Sequence, residues 1–263
     1  TPQLHSTGGG SVGNTAANDS SSTITLTVTV DQQQPEIFNI TLPDEDSTNN
    51  GIQIYPEPKK NKEVIVRARI RGNLSSVTLV FGEDDVAMKN VQNISSTERM
   101  YQGALSIPFY EMPGVKNLEV IANGQGTTSK TQNFTYNSLN AFELDTLSLQ
   151  CSLQPGQICN LPGDLDMNST NQATLRNIGN TALDLQIKGT DLAAGSSSIG
   201  VQNIQYQFGS NPKQALSTNM QQQNIHFGIG PNSLLDFSLS LQLPSQTSNG
   251  VYMSQIMLAS LPK

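Results

Sequence analysis

Thr23-Ile24-Thr25-Leu26-Thr27-Val28-Thr29-Val30 alternates polar and apolar residues without a break. A period of two is the pattern of a half-buried β-strand. Ile24, Leu26, Val28 and Val30 fall on one face, and the threonines fall on the other, where β-branching also favours strand. Before it lies a Gly-, Ser-, Asn- and Thr-rich tail, and after it a short hinge, Asp31-Gln32-Gln33-Gln34-Pro35. A new domain is expected only from Glu36. The strand therefore reads as one without a domain of its own. Alone it can neither pair its backbone nor cover its apolar face, so it has to join a sheet edge in its own chain or in another copy.

Working outward, helical periodicity is almost absent and strand periodicity recurs. The first expected domain, 36–137, carries strands at Ile37–Leu42, Glu63–Arg71, Ser76–Phe81, Val86–Val91, Met100–Ile107, Asn117–Ala122 and Thr128–Tyr136. Turn clusters such as Arg71-Gly72-Asn73 and Met112-Pro113-Gly114 separate them. Short strands with regular turns predict an immunoglobulin-like sandwich. The second expected domain, 141–263, has its clearest strands at Ala182–Lys188, Val201–Phe208, Asn224–Gly228, Leu234–Leu243 and Val251–Ala259. Leu235, Phe237, Leu239, Leu241 and Leu243 alternate with Asp236, Ser238, Ser240 and Gln242, which predicts one core face and one wet face. Asn137–Asn140 reads as a short linker holding the sandwiches roughly end to end. The fold class is thus all-β: two tandem immunoglobulin-like sandwiches, preceded by an extension, 1–35, that carries an extra strand.

Composition narrows the setting. Ser, Thr, Asn and Gln make up roughly 38% of the 263 residues, and charged residues only 13%, against about 25% in ordinary globular proteins. Such a weakly charged, Thr-rich surface predicts a secreted or cell-surface protein. The net charge of −7 argues against nucleic acid and against bulk attraction to anionic lipid. No apolar run approaches the ~18 residues that span a bilayer. The chain begins Thr-Pro rather than Met, which reads as a mature or trimmed chain.

Several segments resemble a known family. Asp31-Gln-Gln-Gln-Pro-Glu-Ile-Phe-Asn-Ile-Thr resembles the inter-domain joint of tandem immunoglobulin-like surface proteins, especially archaeal ones. Met112-Pro-Gly-Val-Lys-Asn-Leu-Glu-Val-Ile-Ala-Asn-Gly-Gln-Gly resembles the late hairpin of such modules. Ala173-Thr-Leu-Arg-Asn-Ile-Gly-Asn-Thr-Ala-Leu-Asp-Leu and Asn249-Gly-Val-Tyr-Met-Ser-Gln-Ile resemble modules of archaeal secreted proteins. The resemblance implies a cell-surface place and a structural or adhesive role, as a filament or S-layer subunit, and carries over no site residues. It also implies that Thr23–Val30 is the last strand of a sandwich elsewhere, donated to a neighbouring subunit. The alternatives are an extra strand on the first domain's own edge, or the remnant of a preceding domain.

The remaining motifs weigh less. Cys151 and Cys159 flank a Pro155-Gly156 turn, and a hairpin there would bring the thiols within reach, so a Cys151–Cys159 disulfide is expected in an extracellular setting; in a reducing compartment they would stay free. Sequons occur at Asn18, Asn39, Asn73, Asn93, Asn133 and Asn168, about as many as chance supplies in so polar a chain. Asn73, in a turn, should be exposed. Arg67, Arg69 and Arg71 share one strand face, with Lys59, Lys60 and Lys62 before them. That basic patch reads as a solvated face paired to acids, or as a contact with a neighbour's acidic loop or with anionic glycans. Asp164-Leu-Asp-Met-Asn168 opens like a calcium loop, but Ser169 and Leu175 stand where Gly and Glu are required. It reads as a polar turn, as do Asp44-Glu45-Asp46 and Glu83-Asp84-Asp85, so no cofactor is expected, with Ca²⁺ bound at the carboxylate loops as the alternative. His5 and His226 are the imidazoles, and no nucleophile elbow or phosphate loop is present. The tyrosines Tyr55, Tyr101, Tyr110, Tyr136, Tyr206 and Tyr252 are scattered, unlike a sugar-binding platform. The sequence reads as a non-enzymatic subunit whose partners are other copies of itself, with glycans or other cell-surface components as further partners.

Overall fold

A computed structural model describes residues 34–48 and 50–262. The strand expected at Thr23–Val30, with Ile24, Leu26, Val28 and Val30, lies outside the described residues, as do Asn18 and His5. From Gln33 onward the chain is one compact unit. It is almost entirely β and contains two sandwiches of the immunoglobulin-like kind.

The first sandwich is built from β1 (Glu36–Thr41), β2 (Asp46–Thr48), β3 (Gly51–Ile54), β4 (Lys62–Arg71), β5 (Ser76–Phe81), β6 (Asp84–Ala87), β7 (Lys89–Asn93), β8 (Glu98–Ile107), β9 (Gly114–Gly124) and β10 (Gly126–Tyr136). One sheet runs β1-β4-β8-β7 and the other β2-β3-β10-β9-β5-β6. β3 lies parallel to β10, whereas β9 and β10 pair antiparallel along their whole length. Alternation places Val64, Val66, Ala68 and Ile70 of β4 in the core at 0–1% exposure. Both sheets reach across this core, and it is closed.

The single strand expected at Val86–Val91 is instead two. β6 pairs β5 in one sheet and β7 pairs β8 in the other. The change of sheet falls at Met88, whose side chain drops into the core and whose N–H donates to the Val77 carbonyl at 2.8 Å. Gly103 leaves room for it: a Cβ there would stand 3.2 Å from Met88 Cγ.

The second sandwich comprises β11 (Phe142–Leu144), β12 (Ile158–Leu161), β13 (Ala173–Asn177), β14 (Leu183–Gly189), β15 (Leu192–Ala194), β16 (Ser197–Ile199), β17 (Ile204–Phe208), β18 (Gln214–Ala215), β19 (Gln221–Phe227), β20 (Leu234–Gln242) and β21 (Ile256–Pro262). One sheet runs β11-β13-β20-β17-β18, with β12 also on β20. The facing sheet has three strands, β19-β14-β21, and β15-β16 is a separate hairpin. Three expectations need correction. Val201–Asn203 is a 3-10 turn ahead of β17, and the last strand begins at Ile256 rather than Val251. Residues 251–255 are held to the 190–193 turn instead, by Ala193 N to Met253 O at 2.9 Å and Thr190 N to Gln255 O at 3.0 Å. On β20 the two faces differ less than the alternation predicts. Phe237 is buried, but Leu235, Leu239 and Leu241 are only half-buried, while Ser240 is buried and donates to Asn160 Oδ1 of β12.

Hydrogen bonds stitch the two sandwiches together. Asn180, fully buried, accepts from Leu139 N at 2.6 Å and donates to Asn137 O at 2.9 Å. Its own N–H donates to Leu139 O, and Ile178 N donates to Ala141 O. Asn177 holds the corner by donating to Thr181 O and Gly228 O and accepting from Gly179 N. Lys59 N of the first sandwich donates to Ile178 O at 3.1 Å, and its ammonium pairs with Glu143 at 2.9 Å. Arg176 also pairs with Glu143. Burial alone would raise the Glu143 carboxyl, but the hydrogen bonds from Lys59 and Arg176 hold it below its ordinary range.

A Cβ on Gly179 would stand 2.1 Å from Leu139 O. Gly179→Ala is expected to force the linker off the corner, cost about 1–3 kcal/mol and lower the melting temperature by several degrees in a calorimetric scan. An unchanged melting temperature would mean that the corner does not clamp the linker.

Candidate functional site

The chain enters the first sandwich through a tight seat. Pro35 is buried where two glycines let the backbone close in. A Cβ on Gly72, at φ +130°, would stand 3.3 Å from Pro35 Cα, and one on Gly124 would stand 3.2 Å from Pro35 Cγ. Thr128 Oγ1 donates to Pro35 O at 2.7 Å, and Lys130 Nζ donates to Phe38 O at 2.5 Å. This seat lies at the start of β10, and the linker lies at its end. Eleven residues of strand separate them, about 33 Å at ~3.3 Å per residue. Pro35 therefore sits at the pole of the first sandwich remote from the second.

The basic patch on β4 is committed within the chain. Arg69 donates through Nη2 and Nε to Glu98 Oε2 at 2.6 and 3.1 Å, and Arg71 donates to Glu98 Oε1 at 3.0 Å. Arg71 also reaches Glu36 at 3.3 Å. Both guanidinium groups lie over Phe38, at 5.4 and 4.6 Å from its centroid. Arg67 donates to Gln102 at 2.9 Å. The hydrogen bond from Arg69 is the main cause that holds Glu98 below the ordinary carboxylate range, against its burial. Lys62 pairs with Glu45 at 3.4 Å, where burial nevertheless keeps Glu45 raised.

Asp164 is a self-contained turn. Its carboxylate accepts from Ser169, from Thr174 and from Asp166 N at 2.6, 2.5 and 3.0 Å, and these bonds, led by Ser169, lower it. Glu83, Asp84 and Asp85 are exposed. Among the described residues, no three His, Cys, Asp or Glu side chains converge in a metal-holding group. Asn39, Asn73, Asn93, Asn133 and Asn168 are all exposed. His226 is exposed on β19. Tyr101, Tyr136 and Tyr206 are in the cores, Tyr110 and Tyr252 are half-buried, and Tyr55 is 57% exposed. They form no common face.

The Pro155-Gly156 turn is present, with Gly156 at φ +84°. It places the two thiols side by side without a bond: Cys159 is buried on β12, and Cys151, in the loop before it, is free. Burial, reinforced by a hydrogen bond with Cys159, pushes the Cys151 thiol up to about 12. The Cys151 sulfur is therefore protonated and slow to oxidise near neutral pH.

Among the described residues, no helix is long and apolar enough to cross a membrane. No family model matches the chain, and no curated protein matches it. Among solved structures it is similar, at 11% identity over 80% of its length, to a secreted serine protease, VesC, from Vibrio cholerae, with TM-score 0.24; it spans 49% of that chain. A chain of the CsuC–CsuE chaperone–tip adhesion subunit complex of archaic chaperone-usher Csu pili from Acinetobacter baumannii matches at 8% identity. That match covers 79% of this chain and 96% of the other, with TM-score 0.39. A chaperone–tip adhesin complex of CFA/I fimbriae matches at 11% identity, covering 78% and 76%, with TM-score 0.36. Likenesses of this size leave any assignment to the chain's own geometry.

Two outcomes follow from these sites. Glu98 is depressed below 4.5, so its stabilising pairing is complete above that pH and is lost as pH falls through the depressed value. Urea midpoints from about pH 6 to about pH 2 should fall for the native chain and fall less for Glu98→Gln; equal slopes would remove Glu98 from the account. Mild disulfide exchange above pH 8 should link Cys151 to Cys159, lower the mass by two hydrogens and add about 2–3 kcal/mol for so short a loop. Persistence of two titratable thiols would exclude the link.

Proposed function

We propose that this protein is a non-enzymatic structural subunit of an extracellular filament, related to the tandem immunoglobulin-like archaeal surface proteins that its sequence resembles. It polymerises by donating Thr23–Val30 to a neighbouring copy. The observation that carries this reading is the seat of Pro35. The residues between Val30 and Pro35 extend the chain at most ~18 Å, whereas the second sandwich begins beyond the ~33 Å length of β10. In its own molecule Val30 therefore stays beside the first sandwich, so the strand cannot pair along its length with the second, and the core of the first is already closed. Ile37 and Ile40 on β1, whose outer edge has no partner strand among the described residues, are 7% and 6% exposed. A strand laid on β1 would pair its backbone but leave Ile24, Leu26, Val28 and Val30 in water. A neighbour offers a second sandwich that is within reach.

A surface lattice is the second reading. It draws on the same strand, and the exposure of every described sequon suits either surface. The commitment of Arg69 and Arg71 to Glu98 favours an internal role for the basic patch over an adhesive one.

Leu26→Lys combined with Val28→Lys places two charges on the apolar row and leaves every described residue unchanged in sequence. Light scattering should show assemblies from the native chain and a monomer from the double variant, with unchanged thermal unfolding of the sandwiches. Assembly by the variant to the same size would dismiss strand donation.

A further inference from the structure

The two sandwiches differ in how completely their sheets cover their cores. The second is shut at its β17–β19 side. There Gln223 donates to Tyr206 Oη at 2.6 Å, Tyr206 donates to Gln214, and Gln214 returns a bond to Gln223 at 3.1 Å. Tyr206, Phe208, Ile225 and Phe227 beneath this lid are 2–5% exposed. At the opposite side the cover stops at β21, which pairs β14 on one edge and has no partner strand on the other among the described residues. Leu258 stands opposite Ile187 and Ile256 opposite Gly189. Because directly opposed residues share a face, Ile256 and Leu258 point inward with the fully buried Ile187. Yet both are only half-buried, as are Leu239 and Leu241 on the facing strand β20. Just before the strand, Met253 is 73% exposed. An inward row that is still wet, beside an unpaired strand edge, marks where one more strand is wanted.

We infer that this cleft, between the free edge of β21 and β20, is the acceptor for Ile24–Val30 of a second copy. The inference rests on the strand-donation reading above and names the place where the strand goes. The lengths agree: β21 runs seven residues, as does Ile24–Val30. So does the chemistry. The cleft offers half-covered aliphatic side chains and an unpaired backbone edge, and the strand offers one aliphatic face and seven backbone donors and acceptors. The threonine face would lie outward beside Met257 and Ala259. Sequon positions are consistent with access. Asn39, Asn73, Asn93 and Asn133 belong to the first sandwich and Asn168 to a loop, and none falls on β14, β19 or β21. The reach of the arm excludes self-insertion at this site, so each occupied cleft adds one copy to a chain of copies.

The full chain carrying benzoylphenylalanine in place of Leu26 is mixed with an equal amount of the same chain labelled with ¹⁵N, assembled, and irradiated. Cross-links should join light to heavy copies and map to 239–243 and 256–262. In the unsubstituted chain, amide exchange across 256–262 should slow about tenfold or more on assembly. Cross-links between copies that map to β1, β6 or another edge, with 256–262 unprotected, would overturn this acceptor while leaving strand donation standing. Cross-links confined to one copy, or unchanged exchange at 23–30 on assembly, would overturn the donation reading itself. If the substituted chain does not assemble, the exchange measurement alone decides.

Discussion

A β-sandwich covers its core only as far as its two sheets extend, and each sheet ends in a row of unpaired backbone groups. That constraint sorts this molecule. In the first sandwich, β1 joins β4 in one sheet while β3 runs parallel to β10 in the other, and the core residues between them are close to fully dry. In the second, the facing sheet consists of β19, β14 and β21 among the described residues, and the aliphatic row of β20 stays half exposed. The same cross-strand alternation thus yields one closed sandwich and one open one. The difference lies in the number of strands and not in the kind of residue.

The joint gives this difference a consequence. Asn180 is buried between the linker and the 178–181 corner, with both ends of its side chain bonded to linker backbone. Gly179 allows the approach because it has no side chain. Lys59 and Arg176 converge on Glu143 across the same seam. The Pro35 seat and the β21 edge are therefore parts of one body.

The long, cleanly alternating strands were legible in the sequence: β4, β5, β9, β10, β14 and β20 lie close to where period two predicts them. The switch at Met88 was not, because a strand that changes sheets keeps its alternation. Short strands such as β2, β3, β11 and β12 carry too few residues to show a period. The mixed burial of β20 was missed because it depends on which strands lie opposite and on β12 covering Ser240. Among site residues, the pairing of the arginine face with acids was readable from the alternation of Arg67, Arg69 and Arg71, but Glu98 as the shared acid was not. The Pro155-Gly156 turn made the proximity of the thiols readable, but the disulfide expected from it is not formed. The Pro35 seat and the Asn180 joint rest on close backbone approaches, which leave only glycine and asparagine as traces.

Electron microscopy of the intact chain beside a chain lacking residues 1–30 bears most directly on the claim that one copy completes another. Filaments from the intact chain and isolated, folded two-sandwich particles from the shortened one are the predicted result. Filaments of the same width and repeat from both would contradict it.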